Sequence, residues 1–310
     1  MEINGNDLSE KIINNVSKVI IGKEQVIRLL LTALIAGGHV LLEDMPGVGK
    51  TTLALAFARV LSLDTKRVQC TPDVMPSDIT GFAMYRQDVG EFVLRRGSVF
   101  CNLFLADELN RTASKTQSAL LEVMEEGKVT VDGITHALPE PFTVIATENP
   151  YGSSGTQLLP DSQMDRFMLR VSMGYPSHAD EMEMIRRRQK GVRPEAVEQV
   201  VSREELLEIR RAAENIYIKD EMIEYIVSLC EKTRNDPLIV QGASPRASLA
   251  LTALSKATAW IQGRDYVLPR DVRFVFHDCI EHRLIWSQEV HESAEKEQAL
   301  AKLFASVKAP

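Results

Sequence analysis

A run of glycine, lysine and threonine residues near the start of the chain has the order of a phosphate-binding loop. Gly47 and Gly49 lead directly into Lys50 and Thr51, with a short apolar run before them and a run of helix-forming residues, 53–61, after them. A strand, a glycine-containing loop, Lys-Thr and a helix in this order are typical of sites that hold nucleotide phosphates. The predicted phosphate-contacting residues are Pro46, Gly47, Val48, Gly49, Lys50, Thr51 and Thr52.

Each residue type in this loop suits a phosphate for a physical reason. Glycines let backbone N–H groups turn toward an anion, and the first turn of the following helix adds unpaired N–H groups. Lys50 supplies a mobile positive charge for the outer phosphates, and Thr51 supplies a hydroxyl for Mg²⁺. Asp44 stands where the pattern G-x-x-x-x-G-K-[ST] has its first glycine. We expect the loop to form nevertheless, because aspartate tolerates left-handed turns. The alternative is a plain strand–turn–helix junction.

Two carboxylates follow a second apolar run, residues 102–106. Asp107 would hold Mg²⁺ through water, and Glu108 would polarise the water that attacks the terminal phosphate. Taken alone, the pair could equally mark the acidic start of a helix, where carboxylates are favourable. Its position downstream of the phosphate loop favours the site of a nucleotide hydrolase.

Three further polar residues suit a ligand but have ordinary alternatives. Asn149 follows a predicted apolar strand, residues 142–147, and the carboxyl ends of central strands usually face the ligand crevice of an α/β sheet. It could also be a turn former before a proline. Arg246 lies in the first turn of a predicted helix, where the dipole disfavours cations, which hints at a task such as binding phosphate. Spacing gives no role to Arg166, for which an ion pair with Asp165 or another acid is the favoured interpretation.

The pattern around these residues predicts two domains. Up to Tyr175, apolar strands alternate with helices, and beyond Pro176 the pattern indicates helices only. A hairpin is expected around Tyr85 and residues 92–94, and an Asp-Gly turn predicts another at residues 129–135. A flexible loop is expected at residues 152–155.

Length and composition fit a folded protein without a membrane segment. The chain has 310 residues, of which 45% are hydrophobic and 25% charged. A formal charge of −7 argues against general affinity for nucleic acid, although not against a local patch. No apolar run is long enough to span a bilayer, and residues 1–10 do not have the pattern of a signal peptide. Four cysteines without metal-ligand spacing favour a reducing cytoplasm.

Taken in order, the motifs resemble those of the AAA+ ATPases, and more closely those of the MoxR family. The stretches that carry the resemblance are GHVLLE (38–43), DELNR (107–111), QSALLE (117–122), FTVIATENP (142–150) and QMDRF (163–167). This resemblance, which covers nearly the whole chain, implies an α/β fold of the ASCE P-loop type. An αβα sandwich with a parallel central sheet would occupy residues 1–175, and an all-α lid would occupy residues 176–310. Residues 73–100 would be an insertion in the second helix of the core, and residues 129–135 the hairpin before the first sensor.

The resemblance also implies roles that spacing alone does not give. Asn149 takes the sensor-1 role, and Arg246 takes the sensor-2 role, reporting the nucleotide state from the lid. Arg166 becomes the arginine finger, inserted into the site of a neighbouring subunit. Ile21 and Gly22 match the segment that borders the adenine. The phosphate loop is then half of an ATP site that a lid and a neighbour complete.

We therefore expect an ATPase that uses ATP and Mg²⁺, forms a homo-oligomeric ring, expected to be hexameric, and remodels a protein client in the cytoplasm. Similar proteins act as chaperones in the maturation of an enzyme or complex, often with a partner that carries a von Willebrand factor A domain. The alternatives are a DNA-acting motor or loader of related AAA+ type, and a scaffold that binds nucleotide without hydrolysing it. Net acidity and the lack of a DNA-binding module argue against the first, and the Asp107–Glu108 pair with Arg166 argues against the second.

Overall fold

The computed structural model describes residues 4–88, 90–149, 159–191 and 196–310. The loop expected at residues 152–155 lies outside these ranges. The strands are β1 Val40–Glu43, β2 Thr65–Gln69, β3 Gly81–Arg86, β4 Glu91–Arg96, β5 Leu103–Asp107, β6 Lys128–Val131, β7 Ile134–Ala137, β8 Thr143–Glu148, β9 Leu169–Val171, β10 Ile239–Gln241 and β11 Ile285–Trp286.

The helices surround these strands and continue beyond them. They are α1 Gly5–Val16, α2 Glu24–Ile35, α3 Lys50–Val60, α4 Pro76–Thr80, α5 Ser114–Glu126, α6 Asp161–Met164, α7 His178–Gln189, α8 Arg203–Glu214, α9 Asp220–Arg234, α10 Pro245–Ile261, α11 Pro269–Ile280 and α12 Ser293–Ser306, with single 3-10 turns at Leu109–Arg111 and Glu281–Arg283. Within the described ranges, none of the helices combines the length and apolar character needed to cross a bilayer.

Five strands of the described chain form one parallel sheet, in the order β2-β5-β8-β1-β9. β5 and β8 are buried along their whole length. Strands covered on both faces are apolar throughout rather than alternating, which is why these two segments are continuous apolar runs in the sequence. The sheet and its flanking helices confirm the predicted α/β fold with a parallel central sheet.

The strand register brings several polar residues to one edge of the sheet. Glu43 lies opposite Glu148 across β1 and β8, and Gln69 lies opposite Asp107 across β2 and β5. Because all five strands run in the same direction, their carboxyl ends share this edge, where ligands of open α/β sheets bind. β8 lies between β5 and β1, so it alone separates the strand that ends in Asp107 from the strand that leads into the phosphate loop.

Each face of the sheet packs against its own apolar core. Val40 and Leu42 face a core that includes α1, α2 and α3, whereas Leu41 faces a second core with α5. Successive strand residues point to opposite faces, which explains this division. The first core continues into α8, α9, α10 and α11. The two N-terminal helices therefore pack against the helical domain as well as against the sheet.

Both predicted hairpins are present. β3 and β4 pair in antiparallel fashion after α4, and the rings of Tyr85 and Phe92, 52% and 71% exposed, meet edge to face near the tip of this hairpin, with their centroids 5.3 Å apart. β6 and β7 are joined by Asp132 and Gly133, whose φ angles of 49° and 79° fit the turn expected of an Asp-Gly pair.

The helical domain differs from the sequence prediction in its details. The expectation of helices only beyond Pro176 is wrong, because β10 and β11 form a short antiparallel pair. α11 ends at Ile280, since the chain turns through the 3-10 segment Glu281–Arg283 into β11. The sequence reasoning also missed α12, whose buried residues are Leu300 and Leu303 and whose Phe304 ring packs against those of Tyr225 and Phe276.

Candidate nucleotide site

The predicted phosphate loop connects β1 to the first turn of α3. Gly47 and Gly49 have φ angles of 89° and 99°, which side-chain-bearing residues rarely adopt, and Gly49 precedes the first residue of α3, Lys50. No side chain caps this helix, so its first N–H groups remain available to an anion. Met173 and Ile20 border the loop, within 3.8 Å and 4.0 Å of the position that a Cβ on Gly49 would occupy.

Asp44 fixes the start of the loop through its carboxylate. The carboxylate accepts hydrogen bonds from the backbone N–H groups of Met45 (2.8 Å) and Gly174 (2.5 Å) and from the Ser172 hydroxyl (3.0 Å). The expectation that Asp44 relies on a left-handed turn is wrong, because its φ angle is not among the positive ones of the described residues. An aspartate is suitable at this position because its side chain ties the loop to the segment that follows β9.

Lys50 is held close to the carboxyl ends of β1 and β8. Its ammonium group donates hydrogen bonds to the carbonyl oxygens of Asp44 (2.6 Å) and Glu148 (2.9 Å). Burial lowers the pKa of Lys50, while the charges of nearby carboxylates, Asp44 and Asp107 foremost, act in the opposite direction. Phosphate oxygens would displace these two neutral carbonyl groups from the Lys50 ammonium, because their negative charge makes a stronger hydrogen bond with it.

The residues predicted to bind Mg²⁺ lie together. The Thr51 hydroxyl lies 3.2 Å from Asp107 Oδ2, and the Thr147 hydroxyl lies 3.4 Å from Asp107 Oδ1. Hydroxyl and carboxylate oxygens beside a phosphate loop match the ligand preference of Mg²⁺, which usually takes one or two protein oxygens together with phosphates and waters. The residues present therefore fit the ion.

Asp107 has a cationic partner that sequence reasoning missed. Arg67 Nε lies 2.6 Å from Asp107 Oδ2, and the Asp107 side chain is only 6% exposed. β2 pairs with β5 so that Arg67 lies two residues before the position opposite Asp107, on the same face of the sheet. Only the pairing of these two strands could have revealed this contact.

Glu108 has a backbone conformation that its residue type rarely adopts. Its φ and ψ angles are 56° and 50°, in the left-handed region, which costs a non-glycine residue about 1–3 kcal/mol. The Glu108 N–H donates to the Thr147 hydroxyl (2.9 Å), and its carboxylate pairs with Arg111 (2.6 Å). Strain of this kind is concentrated at functional sites.

Asn149 follows β8 directly, at the edge that also carries the phosphate loop. Its carbonyl oxygen accepts a hydrogen bond from the side-chain amide of Asn110 (3.1 Å). This contact joins the segment after Glu108 to the segment after β8, so the structure brings Asn149 to the same edge of the sheet as Asp107 and Glu108.

Two neighbouring acids, Glu148 and the partly exposed Glu43, lie opposite each other at the carboxyl ends of β8 and β1, and sequence reasoning missed this pair too. Glu148 is 4% exposed, and burial, followed by the neighbouring Glu43, raises its pKa to about 7. Arg170 Nη1 lies 2.9 Å from Glu43 Oε2, and its other terminal nitrogen contacts Glu281 of the helical domain. These side chains connect the end of β1 to the lid.

Ile21 and Gly22 lie where the N-terminal helices meet α7. Gly22 has a φ angle of 69°, and a Cβ at this position would collide with the carboxylate of Asp180 in the first turn of α7. The neighbouring Lys23 donates to the carbonyl oxygen of Tyr175 (2.7 Å). Because Ile20 also borders Gly49, this segment is close to the phosphate loop.

Arg166 and Arg246 lie together but away from this loop. Both contact the same carboxylate, that of Glu125 near the end of α5: Arg166 Nη2 is 3.3 Å from its Oε2, and Arg246 Nη2 contacts its Oε1. The carbonyl of the preceding residue, Met124, accepts a hydrogen bond from His39 Nε2 (3.0 Å), immediately before β1. Glu125 is therefore at the amino ends of the strands, opposite the edge with the phosphate loop.

Arg246 thus lies away from the phosphate loop of its own chain, and its expected role of reporting the nucleotide state from the lid stays a prediction. The helical domain is anchored at the segment that carries Arg166. Asp165 accepts hydrogen bonds from the Ser244 hydroxyl (3.0 Å) and from Arg283 Nε (2.7 Å), and the Phe167 carbonyl accepts one from Arg283 Nη2 (2.8 Å). The sequence indicated both arginines, but only the docking of the lid determines where Arg246 lies.

Comparisons with known proteins agree with this architecture. Residues 39–169 match the ATPase family associated with various cellular activities (AAA), and residues 231–303 match the AAA lid domain. The uncharacterised protein YeaC of Bacillus subtilis is 42% identical over 97% of this chain and 94% of its own length. Chaperone MoxR1 of Mycobacterium tuberculosis is 42% identical over 89% of this chain and 75% of its own length. The crystal structure of a candidate ATPase from Cytophaga hutchinsonii matches with a TM-score of 0.90 at 37% identity, covering 99% of this chain and 96% of that one.

Proposed function

The chain belongs to the MoxR family of AAA+ ATPases, and on this premise we propose that it hydrolyses ATP in a Mg²⁺-dependent reaction within a homo-oligomeric ring. The observation that carries the proposal is the approach of the Thr51 hydroxyl to the Asp107 carboxylate, 3.2 Å apart, beside a loop whose lysine and helix N-terminus suit phosphates. A site built only for structural purposes would not need this combination.

The residues at this edge have separate tasks in the proposed reaction. The backbone N–H groups of residues 47–52 and the Lys50 ammonium bind the phosphates, with Pro46 at the start of the loop, while Thr51 and Asp107 would hold Mg²⁺, Asp107 through water. Bound Mg²⁺ supplies positive charge that offsets the charge developing on the phosphoryl oxygens. Glu108 orients the attacking water and accepts its proton, and Asn149 positions the same water or the terminal phosphate. Ile21 and Gly22 border the adenine.

The two arginines act in the ATP site of a neighbouring subunit and not in that of their own chain. Since Arg166 and Arg246 both contact Glu125 at the opposite edge of the sheet, we assign them to the nucleotide of a neighbouring subunit. An arginine supplied from a neighbour typically accelerates phosphoryl transfer by about 10³–10⁵-fold. A ring, expected to be hexameric, supplies such a neighbour to every site.

The energy of hydrolysis would serve to remodel a protein client in the cytoplasm. Support comes from the relative named as a chaperone and from the exposed apolar hairpin of β3 and β4, which offers Tyr85 and Phe92 to a partner. A protein with a von Willebrand factor A domain is the expected partner. Cys70, Cys101, Cys230 and Cys279 are free and buried, in keeping with a reducing compartment. A protein client is preferred over DNA because the chain carries a formal charge of −7.

Turnover measured over a range of protein concentrations tests this proposal. The wild type should gain turnover per subunit as its concentration rises, because each site needs a neighbour. Glu108→Gln should bind ATP but lose nearly all turnover, whereas Glu122→Gln, an exposed acid on α5, should behave like the wild type. Unchanged turnover in Glu108→Gln would refute its role as the base, and turnover per subunit that is independent of concentration would refute the shared site.

A further inference from the structure

The two arginines share one carboxylate in the single chain. Glu125 places one oxygen against Arg166 and the other against Arg246, so that the carboxylate lies between the two guanidinium groups. A terminal phosphoryl group also offers several oxygens to surrounding cations. Glu125 therefore occupies the position between the arginines that a phosphoryl group of a neighbouring subunit would need.

The arginines are held together by a contact that does not involve Glu125. Asp165, next to Arg166, accepts hydrogen bonds from Ser244, which precedes α10, and from Arg283. The Arg283 side chain is 2% exposed, so this junction is fixed from inside the protein. The loop that carries Arg166 and the helix that carries Arg246 thus form one unit even though 80 positions separate the residues.

Exposure makes the bond to Glu125 displaceable. The side chains of Arg166, Arg246 and Glu125 are 30%, 43% and 40% exposed. Ion pairs at such positions contribute little, up to about fivefold each in an equilibrium constant. A triphosphate brings more negative charge than one carboxylate and can compete for both guanidinium groups.

We propose that Glu125 is a resident counter-ion that neutralises Arg166 and Arg246 in the free subunit and is displaced when these arginines engage the terminal phosphate of a neighbour's ATP. This inference rests on the proposed function. Glu125 is then a positioning residue. Its carboxylate prevents unrelated anions from binding the two guanidinium groups, and it raises the subunit concentration that ATP-dependent association requires. Its removal lowers that concentration.

Association constants measured by sedimentation velocity test this role. Wild type, Glu125→Gln, Glu125→Asp and Glu126→Gln are compared with a non-hydrolysable ATP analogue and with ADP. Glu126 is the matched control because it lies in the same helical turn and pairs with Lys128 instead (3.2 Å). Glu125→Gln should associate about five- to thirty-fold more tightly than wild type with the analogue, and with little change in ADP. Glu125→Asp should return toward wild type, and Glu126→Gln should match it.

A double-mutant cycle separates this role from a merely structural one. In an Arg166→Ala, Arg246→Ala background, Glu125→Gln should no longer change association, because the groups it neutralises are absent. Equal or weaker association of Glu125→Gln with the analogue would overturn the inference while leaving the proposed function intact. A wild type whose association does not respond to the analogue would overturn the proposed function and this inference together.

Discussion

The Thr51 hydroxyl lies 3.2 Å from the Asp107 carboxylate, although 56 positions separate the two residues. Thr51 belongs to the first turn of α3, which follows β1. Asp107 ends β5, and β8 separates β5 from β1 in the sheet. Parallel strands of similar length bring both residues to the same edge. This convergence is the geometric basis for the proposed Mg²⁺ site.

Removing the Thr51 hydroxyl should weaken the effect of Mg²⁺ on nucleotide binding. Thr51→Val keeps the shape of the side chain but loses the oxygen, so Mg²⁺ should no longer tighten ATP binding by more than about twofold. Thr51→Ser retains the hydroxyl and should behave like the wild type. Calorimetric titration with ATP, with and without Mg²⁺, measures the difference. A Val variant with a full Mg²⁺ effect would show that the hydroxyl does not hold the ion.

Truncating Asp44 should destabilise the fold even though the phosphate-loop pattern has glycine at this position. Asp44→Ala removes the acceptor of three hydrogen bonds and leaves the Ser172 and Gly174 donors unpaired, at a cost of about 2–4 kcal/mol in the free energy of unfolding. Asp44→Asn keeps one acceptor oxygen and should lose less. Urea denaturation at pH 7 measures both changes. A loss below about 0.5 kcal/mol in Asp44→Ala would mean that the carboxylate does not fix the loop.

The sequence predicted the loop, the strands and the carboxylates of the site because each depends on a local pattern. Gly47, Gly49 and Lys50 are recognisable from order alone, and β5 and β8 from their apolar runs. The contacts of Arg67 and the pairing of Glu43 with Glu148 depend on strand register, which no local pattern encodes. Likewise, the position of Arg246 depends on how the lid docks on Asp165. These long-range relationships are the part that only the structure provides.

The buried Glu148 should make stability depend on pH. Its pKa is raised from the ordinary value of 4.5 to about 7, by burial first and by Glu43 second, against the opposing charges of Arg170 and Lys50. Between about pH 4.5 and pH 7, Glu148 is therefore protonated in the folded state and ionised in the unfolded state. The stability contributed by this group is fully present below about pH 4.5 and is lost as the pH rises through about 7.

Glu148→Gln should remove this dependence. An amide needs no proton to remain neutral, so the variant should be more stable than wild type at pH 8, on the order of 1–3 kcal/mol, with a much smaller difference at pH 5. Thermal unfolding at both pH values measures the change, with the exposed Glu122→Gln as control. The same difference at both pH values would contradict the assignment of a protonated Glu148.

The central claim is that each ATP site takes its catalytic arginine from another subunit, and mixing two inactive variants tests it most directly. Glu108→Gln lacks the base but keeps Arg166, and Arg166→Ala lacks the arginine but keeps the base. In an equimolar mixture, roughly a quarter of the subunit interfaces should combine an intact base with an intact arginine. We predict ATP turnover well above that of either variant alone. Turnover of the mixture equal to the average of the two separate variants would contradict the shared site.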